Sequence, residues 1–434
     1  MSIQQNFPGF SPSLNLNFAR SKRLDPRVTF VRQTGATVTN ELGLLERVGN
    51  NIPRFDHVYD SSTGTVRSLG LLVEEQRENL VDRSNDYSGS PGGWTLSSTG
   101  TRAQDIVGPD GVANSAWTIT DNDSAGDFAR FYKQISITPS LSTNYCISSF
   151  VKDINGTGIS PEFYVFLLGS STKGSRIVYN FSTDTITAFS SDGGGISPSI
   201  YGRILYPNGW VRIYFVVNDA NDGGNNTLQY RIYPNGRDAG RTGAMGFYGT
   251  QIEVGAFPTS YIPTAGLPTT RLADRATIDG QNFSSWYNQI EGTYFMSTKI
   301  AHTPNPNVSL LFRTVATGGP RVSLEQTTSN TLVGIVENSG AYFFSTSGSG
   351  LVPANQFRKT SLSYISTNGT TTVGAATNLS TLVDTVSSID VSKSLNTLYL
   401  GRYTDTFYYL NGHIQQFVYY PRKISNSQLQ QLTR

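Results

Sequence analysis

Apolar residues recur along this chain in short, strand-length runs, and almost nowhere at helical spacing. Between Trp94 and Pro263 the runs are 128–135, 144–152, 162–168, 176–181 and 209–217, each rich in aromatic and β-branched residues. Turn signals separate them: Asn155-Gly156, Ser182-Thr183-Asp184, Asp192-Gly193-Gly194-Gly195, Pro207-Asn208-Gly209 and Asp222-Gly223-Gly224-Asn225. Strands so spaced, with no helices between them, predict an antiparallel sandwich or jelly roll rather than βαβ units. A second block from about Arg271 to Pro421 repeats the pattern, with strands predicted over 292–298, 308–313, 331–336, 358–364, 397–401 and 414–420. Between the blocks, 258–266 carries Pro258, Pro263 and Gly266 and reads as an extended linker.

The first 85 residues read differently. They are irregular and comparatively charged, with Arg20, Lys22, Arg23, Arg27 and Arg32 expected to pair with Asp25, Glu41, Glu46, Asp56 and Asp60. One helix is predicted there, 72–80, confined to two turns and marginal unless docked. Its Glu74, Glu75 and Glu78 are expected to pair with Arg77 or with arginines of the arm. At the other end, Ser425 is placed to cap one or two helical turns. The fold class is therefore all-β, two antiparallel β-sandwiches preceded by a mostly irregular arm, divided as 1–85, 86–263 and 264–434.

Composition narrows the function. Lys+Arg is 33 and Asp+Glu 31, a net charge of +2 that disfavours a nucleic-acid binder. Charged residues are only 15% and aromatics reach 12%, material for strands and turns rather than charged helices. The lone Cys146 excludes an internal disulfide, and no apolar run of ~20 residues predicts membrane insertion. Residues 1–7 lack the basic and apolar stretches of a secretory signal, so synthesis and folding in a cytoplasm are expected.

Candidate chemistry is sparse. Glu291, Glu325 and Glu337 each stand alone, without the alternate-position carboxylates that a sandwich glycosidase needs, and no enzyme is expected. His57, His302 and His413 have no companion at zinc-ligand spacing. Asp121, Asp123 and Asp127 offer hard oxygens in a tight loop, a candidate calcium site, although the same residues make an ordinary hairpin. No other cofactor is expected. Among aromatics, Trp210 and Trp286 are expected in the core. Tyr403, Phe407, Tyr408 and Tyr409 lie at a predicted hairpin tip, where rings could face a sugar, with inter-subunit packing as the competing role.

Three stretches of the arm, 24–32, Pro53-Arg54-Phe55-Asp56-His57 and 70–80, resemble an opening found in structural proteins of tailed bacteriophages and prophages. Residues 249–264 are similar to the closing strand of their carbohydrate-binding-module-like jelly roll. Arg271-Leu272-Ala273-Asp274 with 283–293, and Leu410-Asn411-Gly412-His413-Ile414 with 419–425, resemble the two ends of their concanavalin/laminin-G-like sandwich. The resemblance implies a virion structural protein: a tail fibre or tail-associated adhesin contacting host surface polysaccharide, held to other virion proteins by the arm, and a homotrimer. The alternatives it implies are a capsid decoration or head fibre and, from another class, a polysaccharide depolymerase. Neither heptads nor short repeats announce a fibre shaft.

Overall fold

The computed structural model describes residues 11–97, 100–122, 129–138, 140, 143–191, 195–218, 224–237, 240–301, 309–316, 319–327, 332–338, 341–347, 356–377, 385–387, 391, 395–402 and 408–434. Antiparallel sheets dominate it. The first sandwich has two six-stranded sheets. One runs Ile200–Leu205, Val211–Asn218, Asn144–Lys152, Gly243–Val254, Ala116–Asp121, Thr101–Ile106; the other runs Thr185–Ser191, Thr172–Asn180, Glu162–Leu168, Thr227–Tyr233, Arg130–Ser136, Thr95–Ser97. Alternate residues of each strand fill the space between them. Phe163, Val165, Leu167 and Ile232 from one sheet meet Ile147, Val151, Phe215 and Phe247 from the other. Trp94, only 1% exposed, meets Tyr87 edge-on at 4.9 Å between ring centroids.

The arm is not a separate irregular segment, because it supplies strands to both sheets of the second sandwich. Phe55–Asp60 and Thr65–Val73 extend the eight-stranded sheet beyond Gly412–Tyr420, and Leu14–Asn17 pairs with the same Gly412–Tyr420. Thr29–Val31 forms one edge of the facing seven-stranded sheet, beside Arg275–Asp279. Leu14, Leu16, Phe30, Leu71 and Val73 thus share one core with Trp286, Tyr294, Phe312, Tyr364 and Phe417. The capped helix at the end forms as expected. Asn426–Thr433 starts with a capping box between Ser425 and Gln428 and seats Leu429 and Leu432 on the outside of the eight-stranded sheet.

The helix expected over 72–80 does not form. Leu72 and Val73 finish the strand Thr65–Val73, and Arg77–Asn79 pairs with Thr269–Arg271. Helix propensity is worth a few tenths of a kcal/mol per residue, and the buried Glu74 and Asn79 have stronger tertiary partners. Asn79 alone donates to the carbonyls of Thr250 and Ile262 and accepts from the amides of Val81 and Ile252.

The segment 258–266 is extended, as read, but it is a buried seam; Thr259, Tyr261 and Ile262 are all buried. It meets the arm and the start of the second sandwich at a network of charges. Asp274 accepts from Arg32 at 3.0 Å, from Arg54, and from the Glu74 amide at 2.9 Å. Glu74 takes Arg54 at 2.8 Å, Arg271 at 3.4 Å, and both the amide and hydroxyl of Ser260. The arm arginines therefore reach carboxylates elsewhere in the fold as well as local ones such as Asp25. Arg54, Glu74, Ser260, Arg271 and Asp274 together supply this junction.

Burial pushes the Glu74 carboxyl up, but Arg271, Arg54 and Ser260 outweigh it and hold the group well below the usual carboxylate range. A depressed folded value contributes stability above the ordinary 4.5, which is lost as pH falls through that value towards the folded one. Melting temperature is therefore expected to fall steeply below about pH 4.5, and Glu74→Gln to flatten that acid limb. An unchanged acid limb in Glu74→Gln would count against this role.

Candidate functional site

The strand Glu162–Leu168 is apolar on both sides. Phe163, Val165 and Leu167 enter the core, whereas Tyr164 and Phe166 lie on the opposite face with Tyr233 and Leu168, in a cluster of their own. Register places a row across this outer face. Phe189 pairs with Arg176, Arg176 with Tyr164, Tyr164 with Arg231, and Arg231 with Tyr132. Ring and guanidinium alternate over five strands, about 19 Å at ~4.8 Å per strand.

The arginines lie over the rings. Arg176 is 4.5 Å from the Phe189 centroid and 5.6 Å from that of Tyr164; Arg231 is 4.1 Å from Phe166, and Arg130 5.5 Å from Tyr132. Arg176 also donates to the Tyr164 hydroxyl at 2.7 Å and to Glu162 at 3.1 Å, and Tyr164 donates to the same carboxylate at 2.9 Å. Burial pushes the Tyr164 hydroxyl up, so it stays a neutral donor. Phe189 is 37% exposed at one end of the row, and Tyr132 is half-buried at the other. Tyr164 and Phe166 are buried beneath the arginines, so the row offers guanidiniums along its length and rings only at its ends, which suits a polymer that carries carboxylates, since Arg pairs with carboxylate through two parallel N–H groups.

The residues singled out from sequence fall elsewhere. Tyr409 is buried at 4% in the second core and cannot serve as an exposed platform. The expected hairpin is instead a crossover, since Thr397–Leu400 belongs to the seven-stranded sheet and Gly412–Tyr420 to the eight-stranded one. Tyr408, at φ +59°, stands 36% exposed, and Tyr403 and Phe407 lie outside the described residues. Asp121 is buried and accepts from the Ala129 amide at 2.9 Å, closing its own loop; Asp123, Asp127 and His302 lie outside the described residues. Among the described residues no group of three His, Cys, Asp or Glu could hold a metal. All four tryptophans are buried, Trp210 and Trp286 among them as expected.

Two of the lone glutamates do meet. Glu325 and Glu337, on neighbouring strands, both pair with Arg321, Glu325 at 3.3 Å. Burial pushes the Glu325 carboxyl up, as in a general acid. The space between the two carboxylates is nonetheless occupied by the guanidinium, where a glycosidic oxygen would have to sit. Glu291 accepts from the Lys423 amide at 3.0 Å.

No protein-family model matches this chain, and no curated protein matches it. Among solved structures, it is similar to the CBM40 of the Ruminococcus gnavus IT-sialidase bound to α2,3-sialyllactose, at 17% identity over 33% of this chain and 82% of that one, with a TM-score of 0.27. It is similar to domains LG4-5 of the mouse laminin α1 chain, at 8% identity over 68% and 85%, TM-score 0.23. It is also similar to a tail fiber protein, gp63.1, from a phage of E. coli, at 8% identity over 94% and 42%, TM-score 0.22.

Proposed function

We propose that this chain is a non-catalytic adhesin of a tailed-phage particle, a tail fibre or tail-associated protein that grips acidic host-surface polysaccharide. The observation that carries the glycan reading is the row Phe189, Arg176, Tyr164, Arg231, Tyr132, which sets cations along one outer sheet face, over a buried Tyr164 and between the rings of Phe189 and Tyr132 at the two ends. The phage reading rests on the resemblance of the arm and junction segments. Each contact along the row is weak, and copies held at fixed spacing on a particle, as in a homotrimer, turn weak contacts into firm attachment.

The test is binding of the purified chain to polysaccharide stripped from host cells. Arg176→Ala with Arg231→Ala is expected to weaken binding at least tenfold, and lowering the salt is expected to tighten binding by wild type far more than by the double variant. Equal binding by the double variant would remove the row from the reading. Reducing sugar released from the polysaccharide, and lost in Glu325→Gln, would replace the adhesin with a depolymerase.

A further inference from the structure

A cleft of about 540 Å³ lies between the two sandwiches, within the range of small-ligand sites. Its floor is the outer face of the eight-stranded sheet, where Lys299 and His413 are cross-strand partners. The facing wall comes from the first sandwich, through Arg203, Tyr214 and the strand Ile200–Leu205. Tyr59 of the arm and Phe257 close the sides.

The charged side chains around this space have hydrogen-bond or ion-pair partners among the described residues, except for one. Asp56 reaches across the strand Thr65–Val73 to His413 Nε2 at 2.8 Å. Glu74 is held by Arg54 and Arg271, and Arg203 pairs with Asp184. Arg212 spends its guanidinium on the Thr259 carbonyl and the Ser148 hydroxyl, both at 2.8 Å. Lys299 is half-buried and makes no hydrogen bond or ion pair among the described residues. Burial and the nearby Arg67 hold its ammonium below the usual lysine range, with Asp56 only partly offsetting them. Asp56 is engaged by His413, so this cation loses hydration without a paired counter-charge of its own, a cost that an anion in the cleft would offset.

We propose that the cleft binds an acidic sugar of one or two rings, a hexuronate, with its carboxylate on Lys299 and its ring among Tyr59, Tyr214 and Phe257. Floor and wall belong to different sandwiches, so the ligand fastens them together. The cleft shares no residue with the row on the outer face of the first sandwich, and the two sites stand or fall separately.

The probes are glucuronate, methyl glucoside and inorganic phosphate, titrated into the full chain by NMR and calorimetry. Glucuronate is expected to saturate one site in the millimolar range or tighter and to raise the melting temperature. The neutral glucoside should bind at least tenfold more weakly. Lys299→Met should lose glucuronate at least tenfold, and Lys299→Arg should stay within about threefold of wild type. No saturable glucuronate binding would overturn the proposal, as would a glucoside that binds equally well. Phosphate binding as tightly as glucuronate would overturn the sugar assignment. If Lys299→Met fails to fold, the glucuronate-to-glucoside ratio on wild type and the Lys299→Arg titration still decide.

Discussion

Asp274→Ala is expected to destabilise the chain by about 3–5 kcal/mol, the usual cost of removing one partner from a buried ion pair. The carboxylate is fully buried and serves three donors at once: Arg32, Arg54 and the Glu74 amide. Without it Arg32 keeps the carbonyls of Thr34 and Gly49, each at 2.9 Å, but loses its one carboxylate partner among the described residues. Arg54 retains Glu74, but Glu74 is already shared with Arg271. Asp274→Asn keeps the shape and one acceptor yet removes the charge, so it should fall between the two. The control is Lys22–Glu41, a 2.8 Å pair whose side chains are 36% and 64% exposed; Glu41→Ala should leave the midpoint of urea unfolding near wild type. Asp274→Ala should lower that midpoint steeply with little change in slope. A variant indistinguishable from wild type would mean that the junction contributes specificity and no stability.

That junction also marks where sequence reading succeeds and where it stops. Strands with dense apolar patterning were legible to the residue, as at Asn144–Lys152 and Glu162–Leu168. Local periodicity is enough there, because each strand's own residues face a core. The segment 72–80 misleads because its residues are helix formers locally, but Glu74 is claimed about 200 residues away, its side chain by Arg271 and its amide by Asp274. The outer row of the first sandwich is illegible for a related reason. Phe189, Arg176, Tyr164, Arg231 and Tyr132 come from five strands, and only register aligns them. A signal was present nonetheless: Glu162–Leu168 carries aromatic residues at both parities, which a strand with one wet face seldom does. Tyr409 fails as an exposed ring because sequence does not say whether a strand returns within its sheet or crosses to the other.

Gly70→Ala is the second substitution with a large expected effect. Gly70 sits at φ +91°, in the left-handed region, and a Cβ there would lie 2.2 Å from the Ile414 carbonyl oxygen and 2.8 Å from Gln415 Cα. Both obstacles are backbone atoms of Gly412–Tyr420, a strand paired with neighbours on either side, so neither can yield alone. Backbone strain of about 1–3 kcal/mol and overpacking of similar size give an expected loss of about 2–6 kcal/mol. Gly64 provides the comparison: it is at φ +67° with nothing within 4 Å, so Gly64→Ala should cost only the strain, about 1–2 kcal/mol. The strand pushed away in Gly70→Ala is the one Asp56 spans to reach His413. Glucuronate binding beside Lys299 should therefore fall with it, while polysaccharide binding on the Arg176 face, in the other sandwich, persists in whatever fraction stays folded. Equal melting temperatures for Gly70→Ala and Gly64→Ala would show that the arm strand moves freely against Gly412–Tyr420, and the cleft floor could then not be a fixed surface.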